Sequence, residues 1–169
     1  NIKERRDFSC AVFDGEGQML VQAAHIPVHL GSQHLSVQAA IASGHIAPGD
    51  HILLNDPYDG GTHLPDLTLV SPVYLSPDAP APAFYVANRA HHADIGGITP
   101  GSMPAPFDEY GAPRRLSIED EGFRIGPTVV TEDLRKAFAQ ASRTPAERYG
   151  DLRAQESANH VGVRRLQEL

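Results

Sequence analysis

The chain has 169 residues, of which 41% are hydrophobic and 21% charged, a length and composition that suit one domain with a buried core. Its 21 acidic and 14 basic residues give a net charge of −7, which argues against a general nucleic-acid-binding protein. No apolar run approaches the roughly 18 residues of a membrane span. The single cysteine, Cys10, cannot form an internal disulfide, and we therefore expect a cytoplasmic protein.

The first third of the chain is predicted to contain a hairpin, a helix and a short strand. Residues 7–14 alternate apolar and polar side chains and are followed by a turn, so they are expected to pair with residues 19–24. Ser32 is expected to cap a helix over residues 32–43, which Gly44 ends. Residues 51–54 then form a short buried strand.

A second hairpin and a helical C-terminal part complete the predicted fold. Residues 67–75 and 83–89 are predicted strands, a long ordered loop covers residues 100–127, and helical patterns begin at Thr131. Strands and helices alternate too sparsely for repeated βαβ units. The sequence therefore predicts an α+β fold, a mixed and mainly antiparallel sheet with hairpins, with helices covering one face.

Residues 1–169 are interpreted as one domain or part of one. The chain does not begin with Met, and its helical pattern continues to Leu169. We therefore expect a fragment of a longer protein.

Two blocks rich in histidine and aspartate flank the second hairpin, at residues 55–66 and 89–99. Both also contain paired glycines, and imidazole and carboxylate groups are common ligands of divalent cations. In an antiparallel hairpin the start of one strand lies beside the end of the other, so His63 and Asp66 should lie close to residues 91–94. Strand alternation places His92 and Asp94 on one face and His91 on the other, which favours His92 as the ligand.

The same residues also have simpler interpretations. Aspartates in glycine-rich turns commonly bond only to the backbone. Arg89 could bind an anionic substrate group through two hydrogen bonds, or form a structural ion pair. Asp7 alone would be a solvated or salt-bridged residue. The paired glycines form neither a P-loop nor a dinucleotide fingerprint, so no nucleotide site is predicted in this chain.

Several long motifs resemble those of the hydantoinase B/oxoprolinase family. They occur along nearly the whole chain, at residues 4–11 (ERRDFSCA), 25–32 (HIPVHLGS), 55–66 (NDPYDGGTHLPD), 89–97 (RAHHADIGG) and 98–104 (ITPGSMP). Members of this family are much longer than this chain. The resemblance implies the catalytic part of an ATP-dependent hydrolase that opens a small cyclic amide of the hydantoin or 5-oxoproline type.

The resemblance further implies partners and a metal ion. A hydantoinase A-like subunit or domain would use ATP to phosphorylate the substrate carbonyl, and this region would complete ring opening at a divalent metal of the Zn, Mn or Mg class, within an oligomer. The implied ligands are His63, Asp66 and His92, with Asp7 as a fourth candidate. In such a reaction a free carboxylate or imidazole, Asp94 or His91, could carry the proton. With Arg89 as the substrate-binding candidate, these are the expected catalytic residues.

Two alternatives to this hydrolase remain open at this point. Related ketone carboxylases use the same region to join an activated ketone to CO2. A scaffold that binds metal only structurally is the other, and a closed shell of four protein ligands would favour it, whereas an exchangeable water would favour an enzyme. The isolated chain is expected to lack ATP-dependent activity.

Overall fold

The computed structural model describes residues 2–23, 26–44 and 46–169, with only the backbone of Lys3 and Glu4. His25, within one of the family motifs, lies outside these residues. The strands are β1 (Phe8–Asp14), β2 (Met19–Gln22), β3 (Ile52–Leu54), β4 (Asp66–Val73), β5 (Phe84–His91) and β6 (Thr128–Val129). The helices are α1 (Ile2–Arg5), α2 (Pro27–Leu30), α3 (Gln33–Ala42), α4 (Glu132–Ala141) and α5 (Pro145–Gln167). None of the described helices is long and apolar enough to span a membrane.

All six strands form one sheet in the order β2-β1-β5-β4-β3-β6, and every neighbouring pair is antiparallel. The predicted α+β fold and both predicted hairpins are confirmed. The second hairpin, β4–β5, lies at the centre of the sheet. Strand β5 continues to His91, two residues beyond its predicted end, and this extension carries the second block into the sheet.

Helices cover both faces of this sheet, so the expectation that they cover one face is wrong. On one face α3 packs Val37 and Ala40 against a core that includes Val70 of β4. On the other face Phe138 of α4 and Leu152 of α5 pack against a core that includes Leu67 and Leu69 of the same strand. All eight residues of β4 are buried, because neither face is open to water.

A layer of buried amides fixes α5 on its face of the sheet. Gln155 donates from Nε2 to Oδ1 of Asn88 at 2.7 Å, and Asn88 donates from Nδ2 to Oδ1 of Asn159 at 2.7 Å. Gln155 and Asn159 also donate to backbone carbonyls of β4. A shift of α5 along the sheet would leave several buried polar groups without partners, so these bonds set its position.

Candidate metal centre

The register of the central hairpin places Asp66 directly opposite His91. Asp66 is the first residue of β4 and His91 the last of β5, and the two are paired across the strands. Thr68 and Arg89 form the next pair on the same face. His63 precedes the strand by one turn, so the end of the hairpin gathers two imidazoles around one carboxylate.

The three side chains lie within hydrogen-bond distance of one another. The carboxylate of Asp66 is 3.0 Å from Nδ1 of His91 through Oδ1 and 3.3 Å from Nδ1 of His63 through Oδ2. The His63 Nε2 and His91 Nδ1 atoms are 3.2 Å apart. Within residues 2–23, 26–44 and 46–169, this is the one set of three histidine, cysteine or acidic residues whose ligand atoms all lie within 4.8 Å.

These separations fit a shared cation. Tetrahedral bonds of 2.0–2.1 Å to an ion such as zinc place neighbouring ligand atoms roughly 3.3–3.4 Å apart. Nδ1 of His91 stands at 3.0 Å from the Asp66 carboxylate, close to that spacing. His63 meets Asp66 through Nδ1 and His91 through Nε2, so a shared ion would take one of these two nitrogens. One ligand atom from each of the three residues lies within 4.8 Å of the other two. Two imidazoles and one carboxylate are also a donor set that suits zinc and other first-row divalent ions.

The protonation states suit metal binding as well. Burial alone would raise the pKa of Asp66, but hydrogen bonds from His29 and His91 and the nearby charge of His63 outweigh burial and hold this pKa far below its usual value. Burial lowers the pKa of His63, with Asp66 opposing that shift. Near neutral pH the carboxylate is therefore ionised and His63 keeps a free lone pair.

The set is open on one side and closed on the other. Asp66 is 3% exposed, whereas the His63 side chain is 50% exposed and that of His91 28%. A cation held here would have protein on the Asp66 side and solvent on the His63 side. Such a position allows further ligands from solution, which a purely structural metal site excludes.

His29 approaches the closed side of the same carboxylate. It lies in α2, and its Nε2 is 3.3 Å from Oδ2 of Asp66. No local pattern in the sequence connects residue 29 with residues 63–66. Only the packing of α2 against the end of the hairpin reveals the contact.

Arg89 is fully buried beneath the site. It donates from Nε to Thr68 at 2.8 Å, from Nη1 to Ser32 at 2.7 Å and from Nη2 to Ser36 at 2.6 Å. Ser36 in turn donates to the carbonyl of Gly60. Within the described residues Arg89 forms no direct ion pair, and its full burial does not fit the expected bidentate substrate clamp. Arg89 instead ties α3 to the central hairpin and to the loop that precedes His63.

His92 lies on the opposite face of the sheet from Asp66, and the structure does not bring it into the set. Its Nε2 is 2.9 Å from Oε1 of Gln155, and its ring packs edge-on against Phe138 with centroids 5.1 Å apart. Burial lowers the pKa of His92 to about 4. The alternation that separates His91 from His92 is correct, but the face that carries the carboxylate is the one that His91 shares.

Asp94 and Asp7 also stand apart from the three-residue set. Asp94 accepts hydrogen bonds from the backbone N–H groups of Gly96 and Arg143 and forms an ion pair with the Arg143 guanidinium at 3.0 Å. These contacts anchor the glycine turn that follows β5. Asp7 lies beside the end of β5, where its backbone carbonyl accepts a hydrogen bond from the His91 N–H at 3.0 Å.

Asn55, at the start of the first block, holds the loop that carries His63. Its amide donates to the carbonyls of Leu64 and Phe123, and its side-chain oxygen accepts from the N–H of Ile125. A Cβ atom on Gly61 would lie 2.4 Å from the Asn55 carbonyl oxygen, so glycine is required for this close approach. The hydrogen bonds of Asn55 and the close backbone approach at Gly61 therefore hold the loop that positions His63.

Comparison with known proteins gives matches over the whole chain. The family model described as Hydantoinase B/oxoprolinase matches residues 1–169. A 5-oxoprolinase of Dictyostelium discoideum is 43% identical over 100% of this chain, which spans 13% of that protein. The caprolactamase subunit beta of Pseudomonas jessenii is 34% identical over 96% of this chain and 28% of its own length.

Solved structures agree with these matches. The crystal structure of the ATP-dependent caprolactamase from Pseudomonas jessenii superposes with a TM-score of 0.78 and 32% identity, over 96% of this chain and 28% of that chain. An acetone carboxylase structure superposes with a TM-score of 0.77 at 20% identity, over 99% of this chain and 22% of that chain. The second likeness concerns the fold alone. This chain thus spans between about an eighth and a third of the relatives it matches.

Proposed function

Because the chain belongs to the hydantoinase B/oxoprolinase family, we propose that it forms part of the catalytic region of an ATP-dependent enzyme that hydrolyses a small cyclic amide. The observation that carries this proposal is the set of His63, Asp66 and His91 at the end of the central hairpin. The names of the relatives support it, since both 5-oxoprolinase and caprolactamase act on cyclic amides.

We propose that His63, Asp66 and His91 hold a divalent cation, with His91 in the position that the sequence assigned to His92. A bound divalent ion supplies Lewis acidity towards a carbonyl oxygen and lowers the pKa of a coordinated water. Asp66 contributes the negative charge, and its buried position fixes the orientation of the carboxylate. His63, at the open side, lies where a substrate can arrive from solution.

The remaining roles follow from the contacts of each residue. With His91 as a ligand, it does not serve as the proton carrier. Asp94 is bonded to Arg143 and to two backbone N–H groups, so it positions the turn after β5. Arg89 has its three nitrogens bonded to hydroxyl groups and positions the elements around the site.

ATP would be bound by another subunit or domain, of the hydantoinase A-like type. The sequence contains no phosphate-binding motif, while the related caprolactamase is ATP-dependent and has a subunit named beta. We therefore propose an assembly of more than one subunit. We also propose that this assembly is located in the cytoplasm. A ketone carboxylase is less well supported, because the likeness to acetone carboxylase is only 20% identical.

Metal titration of the intact polypeptide tests this function. Isothermal titration with Zn2+ and Mn2+ should show one site. Asp66→Asn and His91→Gln should each weaken metal binding at least about 100-fold. Loss of a residue that only orients a ligand typically lowers metal affinity about 10–100-fold, and loss of a ligand itself should cost more. His92→Gln, which changes the neighbouring histidine on the other face, is the matched control and should bind as the wild type does. Loss of binding in His92→Gln with retention in His91→Gln would reverse the assignment.

Catalysis needs a separate measurement. With its ATP-binding partner, the wild-type protein should open 5-oxoproline or a lactam ring in a reaction that a chelator stops, and Asp66→Asn should be inactive. Full activity in a metal-free Asp66→Asn preparation would refute a catalytic role for the metal. No ring opening with any cyclic amide, together with carboxylation of a ketone, would favour the carboxylase.

A further inference from the structure

A chain of buried polar side chains leads from the interior to Asp66. Nδ1 of His29 is 2.9 Å from the hydroxyl of Ser9, and Nε2 of His29 is 3.3 Å from Oδ2 of Asp66. The Ser9 hydroxyl also donates to Oε1 of Gln33 at 3.4 Å. All four side chains are almost completely buried, so none of these contacts competes with bulk water.

Metal binding changes what the other histidines can give to Asp66. His91 faces both Asp66 and His63 through the same nitrogen, Nδ1. If that nitrogen offers its lone pair to a cation, it cannot donate a hydrogen bond to the carboxylate. His63 is half exposed, and its contact with Asp66 competes with water. The Thr62 hydroxyl also donates to Oδ2, at 3.4 Å and from a partly exposed position. His29 is therefore the fully buried donor that remains for Oδ2 when the site is loaded.

The contact with Ser9 decides which nitrogen of His29 carries the proton. A hydroxyl that donates to Nδ1 leaves the proton on Nε2, and Nε2–H then points at Asp66. As placed, the Gln33 amide presents Oε1 to the Ser9 hydroxyl and leaves its buried Nε2 without a hydrogen-bond partner among the described residues. Turning the amide by 180° places the Nε2 donor on the Ser9 oxygen and frees the hydroxyl to donate to His29. Every hydrogen bond then runs one way, from Gln33 through Ser9 and His29 to Asp66.

We propose that Ser9 and His29 are positioning residues that hold the Asp66 carboxylate in its metal-binding orientation. The proposal rests on the proposed function, because it presumes the cation at His63, Asp66 and His91. Residues that orient metal ligands commonly change metal affinity about 10–100-fold when they are removed. His29 is not itself a ligand in this scheme.

We call the hydrogen-bonded series from Ser9 through His29 to Asp66 the relay. Metal affinity, measured by chelator competition on the intact polypeptide, tests the relay without a measurement of activity. His29→Leu removes the donor and should weaken binding about 10–100-fold. His29→Gln is the matched control, because its amide nitrogen can occupy the place of Nε2, and it should recover most of the lost affinity. Ser9→Ala should weaken binding by a smaller factor, since the proton of His29 is then no longer directed to Nε2.

The double variant gives the sharpest result. If Ser9 acts only through His29, then Ser9→Ala should change nothing further in a His29→Leu background. Losses that multiply in the double variant would overturn the relay. Thermal unfolding in chelator shows whether each variant is folded, and if His29→Leu is not, unchanged affinity in Ser9→Ala alone overturns the relay.

The relay and the metal site fail in different ways. Wild-type affinity in His29→Leu, combined with lost binding in Asp66→Asn, refutes the relay and leaves the metal site intact. Equal binding by the wild type and Asp66→Asn refutes the metal site, and the relay with it. Weaker binding in His29→Leu with recovery in His29→Gln supports both.

Discussion

Replacement of His92 by glutamine should make the protein less sensitive to acid. In the folded protein the pKa of His92 is lowered to about 4 by burial, against an ordinary value of 6.5. The unfolded chain therefore takes up a proton on this residue below about pH 6.5, while the folded protein does so only near pH 4. The contribution of His92 to the free energy of unfolding is therefore fully present above pH 6.5 and is lost as the pH falls towards 4.

The expected size follows from that difference. Each pKa unit corresponds to 1.36 kcal/mol, so a shift of roughly 2.5 units gives a change of about 3 kcal/mol between pH 7 and pH 4. About 2 kcal/mol of this change should already appear at pH 5. Glutamine does not titrate and can keep a hydrogen bond to Gln155, so the His92→Gln variant should lack this component. At pH 7 it should be less stable by about 1–3 kcal/mol, because a buried ring is replaced.

The assay is urea unfolding of the wild type and His92→Gln at several pH values between 7 and 4, with a chelator present to remove metal. The wild type should lose about 3 kcal/mol relative to the variant as the pH falls from 7 to 4, so that His92→Gln becomes as stable as the wild type or more stable. Val37→Ala is the control, because it removes buried apolar volume from the core on the other face of the sheet without touching His92, and its difference from the wild type should not vary with pH. A difference between wild type and His92→Gln that stays constant from pH 7 to pH 4 would refute the reasoning.

Two further predictions concern the elements around the site. Arg89→Lys should cost about 2–4 kcal/mol in urea unfolding, since a single ammonium nitrogen cannot reach the three hydroxyl groups that the planar guanidinium bonds through three separate nitrogens. Arg153→Lys on the surface should change stability by less than about 0.5 kcal/mol. Equal costs for the two would contradict the role given to Arg89. Gly97→Ala should destabilise the protein more than Gly111→Ala. The backbone φ angles are nearly the same, +79° and +80°, so strain in the backbone is similar at the two positions. A Cβ at Gly97 would lie 2.5 Å from the Glu121 carbonyl, whereas one at Gly111 meets nothing within 4 Å. Unfolding temperatures measured in parallel decide this comparison, and equal shifts would mean that the loop yields at residue 97.

The sequence was sufficient to predict that both polar blocks meet at one end of a hairpin. That step needs only two apolar strands, a turn between them and antiparallel pairing, all of which are local signals. It placed His63 and Asp66 beside residues 91–94, as the structure does.

The choice between His91 and His92 needed more than local signals. Strand alternation separates these two residues, but it does not say which face carries Asp66. Side chains of β4 are buried on both faces, so polarity does not mark one face as the outside. A shift of one residue in the pairing would have exchanged the roles of the two histidines.

The contact between His29 and Asp66 could not be predicted from the sequence, for a different reason. It lies 34 residues before His63, in a helix of only four residues, and nothing in the intervening sequence fixes how α2 packs. The contact depends on Arg89, which bonds Ser32 and Ser36 and so holds the segment after α2 against the central strands. The side chain that the sequence offered as a substrate clamp thus helps to bring His29 to Asp66. Arg89 is a fully buried charged residue next to the Asp66 carboxylate, and it influences the site by holding α3 against the central hairpin.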